Sequence, residues 1–120
     1  MSDQGRMLAV AMMLCISLLA AGSAGAAGPV VGWGVGGQGR TTPPLAVSGV
    51  EGTATSVDGG ERHSCAIQNI SARVFCWGSD DYGEATPPPD VDGTDGTATA
   101  ISLGLFHSCA IQAGTGRVVC

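Results

Sequence analysis

The hydrophobic and polar positions fall into two unlike regions. Met7 to Ala21 is a run of fifteen apolar and small residues behind a short polar head carrying Arg6. From Val30 onward the apolar residues come instead in short groups of Thr, Val, Ile and Ala, separated by Gly, Pro and acidic residues. Helical spacing is absent from this second region. The β-branched groups bounded by turn residues predict strands over Thr53 to Asp58 and Thr97 to Ser102, each followed by a Gly-containing bend. Ser64 to Gln68 and Arg73 to Trp77 form a predicted hairpin about Asn69 to Ala72. Its later counterpart turns through Ala113-Gly114-Thr115-Gly116, where two glycines supply positive φ. The doublets Pro43-Pro44 and Pro87-Pro88 have no N–H for a ladder, so they belong to an edge or an extended connector.

The second region repeats itself. Residues 33–76 align with 77–120 at an offset of 44 without a gap, and 22 of the 44 positions are identical. The matches include Trp33-Gly34 with Trp77-Gly78, Gly52 to Thr55 with Gly96 to Thr99, and the hexapeptide His63 to Gln68 with His107 to Gln112. A period of this length, carried by short strands and Gly/Pro turns, belongs to propeller blades rather than helical solenoids. The predicted organisation is a targeting segment over 1–26, the end of a preceding strand over 27–32, and repeats over 33–76 and 77–120.

The first region has the order of a secretory signal peptide, and Ala24-Gly25-Ala26 offers a small-x-small cleavage site. The apolar run is short for a bilayer span, and no membrane span is expected after cleavage. Cleavage removes Cys15 and leaves Cys65, Cys76, Cys109 and Cys120, an even number in an exported chain. The chain of 120 residues contains 20 Gly, 6 Pro, five Arg and no Lys, with a net charge of -5. Five scattered Arg on an acidic chain exclude a phosphate-binding surface, so nucleic acid is not an expected partner.

The G-x-x-H-S-C-A-I strand, the V-x-C-W-G that follows it, and the Gly six residues after the Trp together resemble the regulator-of-chromosome-condensation type of propeller repeat. Trp33, Gly34, His63, Trp77, Gly78 and His107 carry that signature. The resemblance covers residues 30–120 and implies an all-β fold of four-stranded blades in a ring of roughly seven. The wider superfamily includes a secreted propeller that inhibits β-lactamases by binding them, and a nuclear nucleotide-exchange factor whose activity the acidity and signal peptide here argue against. Two repeats cannot close a ring, so the chain is expected to be a truncated or partial propeller. Its ends would then expose faces suited to further blades or to self-association.

Cys65 and Cys76 stand symmetrically about the hairpin turn. Pairing them also pairs Ala66 with Phe75, Ile67 with Val74 and Gln68 with Arg73, and the same arithmetic pairs Cys109 with Cys120. Opposed cysteines on adjacent antiparallel strands lie within disulfide reach. Free buried thiols, or a metal held by His63, Cys65 and Cys76, are the alternatives. His63-Ser64 and His107-Ser108 suggest a base and nucleophile, but neighbours on a strand point to opposite faces, so each His is expected to be buried and bonded to backbone carbonyls.

Asp90, Asp92 and Asp95 resemble the start of a calcium loop, although Gly93 falls too early and the bidentate Glu is missing. Asp80, Asp81, Tyr82 and Glu84 form the most distinctive loop, which is either a solvated turn or a protein-binding surface. Asn69-Ile70-Ser71 matches a glycosylation sequon. No assembled nucleophile, base and oxyanion site is legible. The expected function is therefore an exported, non-enzymatic protein-interaction module without a cofactor, with a calcium- or metal-dependent binder and a non-functional truncated product as alternatives.

Overall fold

The computed structural model describes residues 26–120, so the targeting segment and Cys15 lie outside the described residues. The described chain is all-β: strands β1 (Ala54–Gly59), β2 (His63–Gln68), β3 (Val74–Gly78), β4 (Ala98–Leu103), β5 (Ser108–Gln112) and β6 (Val118–Val119), with a single 3-10 turn at Gly37–Gly39. They make two antiparallel sheets, ordered β1-β2-β3 and β4-β5-β6. The resemblance implied four strands per sheet, and three form. Residues 79–97, between β3 and β4, are turns and bends carrying Pro87-Pro88-Pro89, which offer no N–H groups to a further ladder. Among the described residues no helix is long and apolar enough to cross a membrane.

The hairpin register is the one the cysteine symmetry predicts. Cys65 faces Cys76, Ala66 faces Phe75 and Ile67 faces Val74, while the Gln68 amide donates to the Arg73 carbonyl. Disulfides join Cys65 to Cys76 and Cys109 to Cys120, each with its Cα atoms 4.1 Å apart. Such bonds form and persist in an oxidising environment. The β1–β2 pairing carries a bulge between Ala54 and Ser56, and β4–β5 repeats it between Ala98 and Ala100. The extra residue is Thr55 or Thr99, whose hydroxyl donates across the bulge to the Ile67 or Ile111 carbonyl, 3.4 Å in each case. Another repeated device is the Gln68 amide group, which donates to the Ala46 carbonyl at 2.7 Å, as Gln112 does to Asp90 at 3.0 Å.

The two sheets pack face to face. Cys65, Ile67 and Val74 of the first meet Val91, Ala98 and Ala110 of the second repeat in one buried cluster. Alternation along the strands puts Ala66 on the opposite side, where it packs with Val47, Ala54, Val30, Phe75 and Trp77. A residue of the first repeat thus has one face toward the second repeat and one away from it. Burial of these small side chains, rather than of large aromatics, holds the sheets together.

Candidate functional site

The loop after β3 is shaped by its own side chains. Gly78 has φ +104, and a Cβ there would lie 2.4 Å from the Arg62 carbonyl oxygen, so the residue after the Trp must be glycine. Asp80 then closes the turn, its carboxylate accepting from the Ala85 amide at 2.8 Å and from the Thr86 hydroxyl at 2.6 Å. Glu84 points inward, buried, and accepts from the Tyr82 amide at 2.8 Å. The Asp81 carboxylate accepts from the Ser79 hydroxyl at 3.3 Å.

Burial pushes the Glu84 carboxyl up, but its own amide, the Tyr82 amide, the Ser79 hydroxyl and the neighbouring His63 together outweigh it, and the net shift is downward. Of the four residues expected to form a contact surface, two therefore build the loop. Asp80 and Asp81 are exposed, and beside them Tyr82 is the aromatic presented, 76% exposed, with its ring edge-on to Phe106 at 5.5 Å and 65°. Phe106 and the exposed Leu105 come from the β4–β5 turn, which sequence reasoning passed over. The only signal for them was two large apolar residues inside a turn whose counterpart is Glu61-Arg62. A cavity of about 300 Å³ between the sheets is lined by Cys76, Tyr82, Glu84, Leu103, Phe106 and Ser108, among others.

His63 is buried, as expected, but its partner is not a backbone carbonyl. Its Nε2 lies 2.9 Å from Ser108 Oγ of the second repeat, and that hydroxyl donates to the Glu84 carbonyl at 2.8 Å. With the serine proton committed to Glu84, the imidazole Nε2–H is the donor in the pair. The His63 ring lies over Gly60, where a Cβ would come within 2.3 Å of it. His107 lies over Gly104 in the same way but is exposed. Trp77 is half-buried, its Nε1 donating to the Arg40 carbonyl at 3.1 Å, whereas Trp33 is exposed.

The acidic stretch at 90–96 is not drawn together. The Asp92 carboxylate accepts from the Thr94 amide at 2.8 Å, and hydrogen bonds from Thr94 and the nearby Arg73 charge hold it below its usual range against a smaller opposing effect of burial. Asp90 instead faces Arg117 at 4.0 Å. No group of three or more His, Cys, Asp or Glu side chains is gathered in metal-binding proximity among the described residues.

No protein-family model matches the chain. No curated protein matches it either. Among solved structures it is similar to the ectodomain of the receptor kinase CR4 from Physcomitrella patens, at 26% identity and a TM-score of 0.57 over 82% of this chain. The chain spans only 24% of that ectodomain's length.

Proposed function

We propose that the protein is an exported, non-enzymatic recognition module built of propeller-type repeats of the chromosome-condensation-regulator kind, and that it binds a protein partner through the loop after β3. The observation that carries this role is the Tyr82–Phe106 pair: an exposed tyrosine held edge-on to a second exposed aromatic, on a loop fastened by Asp80 and Glu84. Aromatic side chains on a stiff frame give contact area at small entropic cost. The first repeat builds the same turn from Val35, Gly36, Gly37 and Gln38 and offers no aromatic there, so the loop is where the repeats diverge while the frame stays the same. The apolar leader and the two disulfides support export.

Because Asp80 holds the loop, the informative substitutions are Tyr82→Ala and Phe106→Ala. Immobilised protein is exposed to the extracellular fluid of its host, and saturable capture of a defined partner is expected. The double variant should lose at least tenfold in affinity while keeping its far-UV circular dichroism, which corresponds to about 1.4 kcal/mol or more. Undiminished capture by the double variant overturns the assignment to this loop.

A further inference from the structure

The seam between the repeats is written twice in the sequence but formed once. Its first half, His63, Cys65, Ile67 and Val74, is buried against the second repeat. The counterparts 44 residues on are the same residue types: His107, Cys109, Ile111 and Val118. Yet Ile111 is 40% exposed where Ile67 is 3%, and Val118 is 69% exposed where Val74 is 6%. The second half of the seam, Val91, Ala98, Ser108 and Ala110, is likewise duplicated as Val47, Ala54, Ser64 and Ala66. Each chain therefore presents an unmatched copy of the first half, while its copy of the second half is covered from within, Val47 and Ala66 lying buried under Val30, Phe75 and Trp77.

We propose that the chains associate head to tail, the His107–Val118 face of one copy receiving the Val47–Ala66 face of a second copy in the register of the internal seam. The Ser64 hydroxyl of the second copy takes the place at His107 that Ser108 holds at His63. A second copy is the occupant that fits because its Val47, Ala54, Ser64 and Ala66 repeat the Val91, Ala98, Ser108 and Ala110 that close the seam within the chain, with Val57, Gly59 and Phe75 in place of Ile101, Leu103 and Val119.

Residues 28–30 act as a strap over the receiving end. The Ala54 amide donates to the Gly28 carbonyl and the Val30 amide to the Val47 carbonyl, both at 2.9 Å. Within the seam the equivalent bonds are Ala98 to Ala72 at 2.9 Å and Val74 to Val91 at 3.0 Å. Gly28 and Val30 thus stand where Ala72 and Val74 stand in the seam. Docking replaces them with Gly116 and Val118 of the incoming copy, and both of these bonds are re-formed, while the further bond from the Gly28 amide to the Ala54 carbonyl at 3.0 Å is given up. One internal bond has no counterpart: the Leu103 amide donates to the Asp58 carboxylate at 2.8 Å, and Ser102 stands where Asp58 would be needed. The intermolecular seam is accordingly weaker than the internal one, and association is concentration-dependent.

The test uses two blocked variants of the mature chain in sedimentation velocity. Ile111→Asp with Val118→Asp blocks one face. Val57→Asp blocks the other, since Val57 is exposed and its counterpart Ile101 packs in the seam. All three side chains lie at least partly in solvent, so the fold is retained, and circular dichroism checks this. The unmodified chain is expected to grow in size with concentration in the micromolar range, each variant alone to remain monomeric, and the equimolar mixture to form a one-to-one dimer that grows no further. Ile70→Asp, on the exposed hairpin tip away from both faces, should behave as the unmodified chain. A monomeric unmodified chain, self-association of Val57→Asp alone, or a mixture that stays monomeric overturns the proposal.

Discussion

His63 and Ser108, 45 residues apart, are joined at 2.9 Å between imidazole Nε2 and hydroxyl oxygen, and through Ser108 the bond continues to the Glu84 backbone. Two repeats that could have been independent three-stranded sheets are joined at this point by a partly buried polar bond beside an apolar seam. His63 Nδ1 is buried without a partner, so Nε2 carries the whole polar anchorage of the ring.

The two histidines of the repeat should therefore differ in worth. His63→Ala removes a buried ring together with its hydrogen bond to the Ser108 hydroxyl, and is expected to cost about 2 kcal/mol or more in denaturant unfolding. His107→Ala, at an exposed position, should stay within about 0.5 kcal/mol for the dilute monomer. Equal effects would show that the seam bond is not what holds the repeats.

The hairpin tips make an opposite prediction. Gly114 and Gly116 have φ +81 and +69, while the first repeat places Ile70 at +74 and Ala72 at +57 in the same turn. A β-branched residue in the left-handed region is strained, and Ile70 has almost no packing to lose. Ile70→Gly should raise stability by about 0.5–1 kcal/mol, and Gly114→Ile should lower it by a similar amount, both read from thermal melts.

The disulfides are equivalent in sequence and unequal in access. Cys65 is buried in the seam, whereas Cys120 is exposed. Thiol–disulfide exchange requires access to a sulfur, so mild reductant should open Cys109–Cys120 first, as timed alkylation and peptide mapping would register. Each 11-residue separation is expected to be worth about 3 kcal/mol by chain entropy.

Acid should weaken the fold through Glu84 and Asp92, whose carboxyls are both held below their ordinary values of 4.5 and 3.8. A lowered folded pKa means stability that is complete above the ordinary value and lost as pH falls through the folded one. Melting temperature should be insensitive to these two groups above about pH 5 and decline below about pH 4. Glu84→Gln should flatten part of that decline, and an unchanged acid limb would remove Glu84 from the account.

Strand positions, hairpin register and the cysteine pairs were legible in the sequence because they depend on local chemistry: β-branched runs, turn glycines and a symmetry about one turn. Repetition added the equivalence of the two sheets, since identical residues at a constant offset must form the same local structure twice. What the linear order could not reveal is which copies of those identical residues are covered. Ile67 and Ile111 are indistinguishable in sequence, and only the packing of one sheet on the next buries the first and leaves the second in solvent. The same holds for His63, whose partner belongs to the other repeat, and for Asp80 and Glu84, which look like surface charge in the sequence yet turn onto the backbone of their own loop. Face-to-face packing and loop hydrogen bonding are relations between residues brought close by folding, and no spacing along the chain encodes them.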